Sequence, residues 1–276
     1  MKCASEIKHP PIKYYGAKWR LAPWIISNFP KHTHYIEICG GAAGVLLQKP
    51  RSKLETYNDS WGAVVNFFRV LRNNEAELIR KIELTPWARE EYKNHYEPTD
   101  DPVEAARRFW VGCNMSIGSM AFKSCGMRIV KDVSKIGVAH SVVAEKTKSQ
   151  LYKVSDRLRG TQIESLHYAD LLERYEVAAP QNLFYFDPPY TSGERVTPNV
   201  YNTEWSNDDH KEAAEILRNS KAYVIVSGYK SELYKELYED YGWRRIDKAT
   251  QTNGGSRVES LWLNPACANT GQLKLF

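Results

Sequence analysis

Leu183-Phe184-Tyr185-Phe186-Asp187-Pro188-Pro189-Tyr190 is the stretch on which the reading of this chain turns. An apolar run of strand length ends in two prolines, which stop a strand and fix its backbone. Asp187 and Tyr190 are therefore expected on a stiff turn at the C-terminal end of a strand. In open α/β sheets that edge is where ligands bind. The turn offers a carboxylate acceptor, carbonyls with no competing proline N–H, and an aromatic face. Such a set suits a planar ring that carries an amine.

The flanking sequence alternates strand and helix. Tyr35-Ile36-Glu37-Ile38 is a short apolar strand. The glycine-rich Cys39–Gly44 follows it, and Val45-Leu46-Leu47 is expected to open a helix. Leu54–Asp59 is a second strand that ends in an acid, the nucleotide-binding layout of a doubly wound fold. Past residue 61 the pattern changes. Val64, Val65, Phe67, Phe68 and Leu71 recur at helical spacing, and further helical segments are expected near 74–84, 88–95 and 103–113. Gly118 and Gly126 flank a run with hairpin character. Alternation resumes with strands at 162–166, 182–186 and 222–226, and helices from Asp170, over 208–218 and over 231–238. Trp243–Ile246 and Val258–Leu263 are expected to form a terminal antiparallel pair.

With 276 residues, 42% hydrophobic and 26% charged, the composition is that of a soluble globular protein. No apolar window is long enough for a membrane span, and the first six residues do not read as a secretion signal. The five cysteines are scattered without a Cys-x-x-Cys pair, which points to a reduced cytosolic protein and away from structural zinc. The net charge is +5. Residues 111–165 hold nine Lys/Arg and four Asp/Glu, an excess equal to that of the whole chain. A basic segment of this kind fits a polyanion partner.

Taken together, these motifs resemble the Dam-like, alpha-group DNA N6-adenine methyltransferases, especially phage and prophage members. The resemblance runs through Tyr14-Tyr15-Gly16-Ala17-Lys18, Glu37–Gly44, Asn58-Asp59, Asp170-Leu171 and Asp187–Tyr190, in the family's order. Val226–Tyr229 and Asn253–Arg257 look like later motifs lining the target pocket. The chain departs from the family at Ile38-Cys39, where Pro-Phe is common, and at Ala42 and Ala43, which replace glycines. The resemblance implies an α/β fold: a Rossmann-like S-adenosylmethionine-dependent methyltransferase core from 1–60 and 160–265. Residues 61–159 would be a mostly helical target-recognition insertion carrying a β-hairpin, and 266–276 a tail.

It also implies roles. In the cofactor site, Lys18 would neutralise the methionine carboxylate of S-adenosyl-L-methionine and Glu37 would face its ammonium. Asp59 would accept from the ribose hydroxyls and Asp170 from the adenine amino group, with Tyr14, Gly41, Leu171 and Asp187 completing the site. For Asp170, a plain helix N-cap is an equal reading. At the target, Asp187 and the Pro188 carbonyl would accept both N–H bonds of the adenine amine, with Pro189 stiffening the turn. Tyr190 would stack on the flipped base. The nitrogen would then attack the sulfonium methyl in line, with no metal required. Double-stranded DNA is the expected partner, read by Asn114, Lys123 and Arg128, with a phosphate contact or no contact as the plainer reading for each. Gln272-Leu273-Lys274-Leu275-Phe276 looks like the peptide by which bacterial proteins dock on the DNA sliding clamp, Gln272, Leu273, Leu275 and Phe276 being the contact residues; packing of these residues on the enzyme's own sheet is an equal reading. The competing readings are N4-cytosine methylation, an RNA substrate, and a catalytically silent DNA-binding relative.

Overall fold

The computed structural model describes residues 6–119, 125–129, 148–175, 181–190, 204–252 and 255–269. Seven strands form one sheet in the order β3-β2-β1-β4-β5-β7-β6. They are β1 (His34–Glu37), β2 (Leu54–Asn58), β3 (Gln162–Glu164), β4 (Asn182–Phe186), β5 (Tyr223–Tyr229), β6 (Arg244–Thr252) and β7 (Gly255–Leu263). The first five run parallel. β7 slots antiparallel between β5 and β6, which places the last hairpin at one edge. The chain order reverses between β1 and β4. Their C-terminal ends therefore part to leave a crevice where Glu37 and Asp187 emerge.

Side-chain alternation assigns each strand to two cores. Tyr35, Leu183, Tyr185 and Ile225 face one cluster, while Ile36, Phe184, Phe186, Val224 and Val226 face the other. Helices α1 (Ala22–Ser27), α2 (Gly62–Asn73), α3 (Glu75–Leu84), α4 (Arg89–Asn94), α5 (Pro102–Met115) and α6 (Leu151–Leu158) contribute to the first cluster. Helices α7 (Tyr168–Tyr175), α8 (Asn207–Arg218) and α9 (Glu232–Leu237) cover the second. A short α10 (Pro265–Ala268), capped by Asn264, follows β7. The helical segment between β2 and β3 thus shares its apolar interior with one face of the sheet. No helix among the described residues is long and apolar enough to cross a membrane.

Two local features differ from the sequence reading. No regular helix follows Gly44. Residues 41–48 form successive turns, with Ala43 at φ 54° and the Leu46 N–H donating to the Glu37 carboxylate at 2.8 Å. That side-chain acceptor replaces the i−4 carbonyl that a helix would use there. The last hairpin is also longer than its apolar residues suggest, because β6 is a half-exposed edge strand whose polar residues pair as well as apolar ones. The base of the Gly118/Gly126 hairpin is present as an antiparallel bridge between Ser116 and Met127. Its tip lies outside the described residues.

A buried ion cluster ties α6 to β2. Glu55, 4% exposed, accepts from Arg157 Nη1 at 2.5 Å and from Lys49 Nζ at 2.6 Å. Burial opposes the charge on Glu55, yet the bonds from Arg157 and Lys49 outweigh it and hold its pKa below the usual value. Removing one member of such a cluster strands the opposite charges in the interior. Glu55→Ala is therefore expected to cost about 3–5 kcal/mol in denaturant unfolding. A loss near zero would show that the cluster is dispensable.

Candidate active site

The crevice between β1 and β4 opens into a cleft of about 1290 Å³, mouth included. Its wall on this side is built from residues 14–18, the 37–45 turn, Asn58–Trp61 and Asp187–Pro189. The glycine-rich turn is pinned to the end of β2. Gly40 N donates to Asn58 O at 2.8 Å, and the Tyr57 hydroxyl donates to Gly41 O at 2.7 Å. A Cβ on Gly40 would lie 2.2 Å from the Tyr57 ring, so only glycine lets the turn approach this closely. Gly41 adopts φ 47° with Tyr14 directly against it, which brings the 14–18 segment over the cleft.

The acids of the cleft differ in their partners. Glu37 is 2% exposed, and its Oε2 accepts from the Tyr35 hydroxyl at 2.7 Å and from Leu46 N at 2.8 Å. Burial pushes its pKa up to about 8, more than those two bonds pull it down. It forms no ion pair among the described residues. Asp59 accepts from Gly41 N and Trp61 N, each at 2.8 Å. Burial raises its pKa against those bonds. Asp187 is held from both sides. Ser227 Oγ donates to Oδ1 at 2.7 Å, and Lys18 Nζ lies 3.0 Å from Oδ2. Ser227 is itself 3.1 Å from the Tyr185 hydroxyl.

Lys18 is 7% exposed. Its ammonium also donates to Gly16 O at 2.9 Å and sits 4.6 Å over the Tyr190 ring. Tyr190 is 4% exposed, and its hydroxyl donates to Glu259 Oε2 at 3.0 Å. Among the described residues no group of three His, Cys, Asp or Glu side chains gathers as a metal site.

Tyr14, Lys18, Glu37, Gly41, Asp59, Asp187, Pro188 and Pro189 therefore share one cleft. Others named from the sequence lie elsewhere. Asp170 is exposed in the first turn of α7, off the cleft wall, and Leu171 is fully buried in the second core. At that end the wall is formed by Leu166, His167 and Tyr168 with Trp205 and Asp209. Asn114 is 1% exposed inside α5, where its Nδ2 donates to Trp110 O, so it does not reach a surface that could meet DNA. Arg128 is half-buried, with Nη2 donating to Ser116 O at 3.2 Å, and burial lowers its pKa. Lys123, Asn253, Gly254 and 272–276 lie outside the described residues. Ser227 falls within Val226–Tyr229, read from the sequence as lining the target pocket, though it was given no role of its own; Glu259 and Trp205 were not singled out from the sequence.

A seven-stranded sheet with its antiparallel strand at this place, and a ligand cleft at the switch between β1 and β4, defines a Rossmann-like methyltransferase core. Residues 14–252 match the model of the D12 class N6 adenine-specific DNA methyltransferases, and the chain belongs to that family. Type II methyltransferase M1.LlaDCHI of Lactococcus lactis subsp. cremoris is 26% identical over 267 residues, covering 89% of each chain. A solved precorrin 8W decarboxylase structure from Methanobacterium thermoautotrophicum is similar at a TM-score of 0.33 and 12% identity. That alignment covers 95% of this chain and 98% of the other, and nothing about this chain follows from so distant a likeness. The protein is an adenine-specific DNA methyltransferase.

The Ser227 hydroxyl fixes one oxygen of Asp187 without touching the cleft. Ser227→Ala is expected to lower the methyl-transfer rate about tenfold, with thermal stability nearly unchanged. A full rate in that variant would remove Ser227 from the site.

Proposed function

We propose that the cleft binds S-adenosylmethionine and that Asp187 receives an adenine turned out of duplex DNA. The observation that carries this reading is the position of Asp187, whose carboxylate stands in the same cleft as Glu37, Asp59 and the glycine turn. The donor set fits the cofactor. A buried acid without an ion pair suits an α-ammonium, Lys18 suits a carboxylate, and Asp59 retains lone pairs for ribose hydroxyls. Trp205 and Tyr168, with ring centroids 4.8 Å apart, supply aromatic surface at the far end of the cleft for a purine. When bound, the cofactor supplies an electrophilic sulfonium methyl.

The remaining work falls to the chain. An exocyclic amine on adenine is a weak nucleophile because its lone pair is delocalised into the ring. Asp187 and the Pro188 carbonyl accept its two N–H bonds, which draws the nitrogen towards tetrahedral geometry and localises the lone pair. The prolines keep both acceptors fixed, so little reorganisation is needed at the moment of transfer. Tyr190 offers its ring to the base. Turning the adenine out of the stack costs a few kcal/mol, which stacking and hydrogen bonding inside the pocket offset. The segment around the Ser116–Met127 bridge meets the DNA, with Arg128 as its reader. Its guanidinium has five N–H donors, and Ser116 O takes one. The reaction belongs in the cytoplasm, where the DNA lies. Gln272–Phe276 docks on the sliding clamp and raises the effective concentration of enzyme on new DNA.

Labelled S-adenosylmethionine and unmethylated genomic DNA test the chemistry. N6-methyladenine is expected from the wild type, with a loss of at least about a thousandfold in Asp187→Ala at retained cofactor binding. Wild-type activity in Asp187→Ala would refute the assignment. For the tail, deletion of 272–276 is expected to abolish binding to an immobilised clamp while leaving methylation of short duplexes intact. Unchanged clamp binding after the deletion would end that reading.

A further inference from the structure

Tyr190 is held from β7, two strands along the sheet from β4, by an acid that the site chemistry has not so far used. Glu259 lies on β7, directly opposite Tyr229 of β5 in the antiparallel register. It is 8% exposed and has no ion pair among the described residues. Its Oε2 accepts the Tyr190 hydroxyl at 3.0 Å. The Tyr229 ring meets the Tyr190 ring edge-on, with centroids 4.6 Å apart and planes at 73°. Tyr229 is fixed in turn, since Arg257 Nη1 donates to its hydroxyl at 2.9 Å. The ring at the end of the Asp-Pro-Pro-Tyr turn is thus held at its hydroxyl by β7 and packed against a Tyr229 ring from β5.

A buried carboxylate is costly unless something requires it. Burial raises the pKa of Glu259, Lys18 opposes that rise, and the nearby Asp187 adds to it. An apolar residue would fill this place in the sheet at lower cost, but it would remove the hydrogen bond that Glu259 accepts from the Tyr190 hydroxyl.

We propose that Glu259 is a positioning residue for methyl transfer, acting through the Tyr190 hydroxyl to set the ring against which the target adenine is held. The proposal rests on the reading of Tyr190 given above. The prolines fix where the Tyr190 backbone stands, but the tilt of the ring still depends on its side-chain torsions. A hydroxyl anchor at the far end of the ring fixes that tilt before the base arrives, and preorganisation of this kind acts on turnover more than on cofactor binding. The role needs an acceptor at Glu259 and does not need its charge.

The test is steady-state methylation of DNA by Glu259→Gln, Glu259→Leu, Tyr190→Phe, Tyr190→Ala and the Glu259→Leu/Tyr190→Phe double variant. Thermal stability and the KM for S-adenosylmethionine are measured alongside. Glu259→Leu and Tyr190→Phe are each expected to lower kcat about tenfold at an unchanged cofactor KM. The double variant should be no slower than the worse single one, because both remove the same bond. Glu259→Gln, which still accepts a hydrogen bond, should stay within about threefold of wild type. Losses that multiply in the double variant would overturn the proposal, as would a Gln variant as slow as the Leu variant. If Glu259→Leu does not fold, Tyr190→Phe and Glu259→Gln decide, and full activity in Tyr190→Phe overturns it. Full activity in Tyr190→Ala would refute the role of Tyr190 itself. An inactive Tyr190→Ala beside a fully active Glu259→Leu would refute only the anchor.

Discussion

The carboxylate of Asp187 is the fixed point of this molecule. Ser227 donates to one oxygen from β5, and Lys18 reaches the other from the N-terminal segment. Both contacts depend on distant parts of the chain being in register. β4 must lie between β1 and β5 for Ser227 to stand beside Asp187. The 14–18 segment must settle against the glycine turn, where a Cβ on Gly44 would come within 3.1 Å of the Trp19 nitrogen. The two cores hold the sheet, the sheet sets the crevice, and the crevice sets the carboxylate.

The same contacts bear on the cleft before any ligand is present. The Lys18 ammonium lies on Asp187 and over the Tyr190 ring, next to the acceptor and the aromatic face that the proposed chemistry assigns to the adenine. Glu37, by contrast, is buried with no ion pair among the described residues. A ligand with an anionic end for Lys18 would draw that ammonium off Asp187, so on the proposed reading cofactor binding would free Asp187 for the adenine.

Much of this was legible in local sequence. The Asp-Pro-Pro-Tyr turn follows from proline geometry, and the order of strands and helices follows from apolar periodicity, as at Val64–Leu71 and Ala222–Val226. What was not legible depends on contacts between segments far apart in the chain. The turns at 41–48 look like a helix start until Glu37 takes the Leu46 N–H. Asp170 reads as a cleft acid, but α7 begins at Tyr168, which leaves Asp170 exposed and turns Leu171 into the core. Asn114 falls in a run of α5 that is buried all round, from Phe109 to Met115. Ser227 and Glu259 gain their meaning from the pairing of β5 with β4 and β7, and sequence spacing does not reveal that pairing. The acidic residue at an inward position of β7 was the one available signal for Glu259.

The most direct measurement is a crystal structure of the protein with S-adenosylhomocysteine. The amino-acid end of the ligand is expected between Glu37 and Lys18, its ribose on Asp59, and its sulfur turned towards Asp187. A ligand bound away from Glu37 and Asp59, or with its sulfur turned from Asp187, would contradict that expectation.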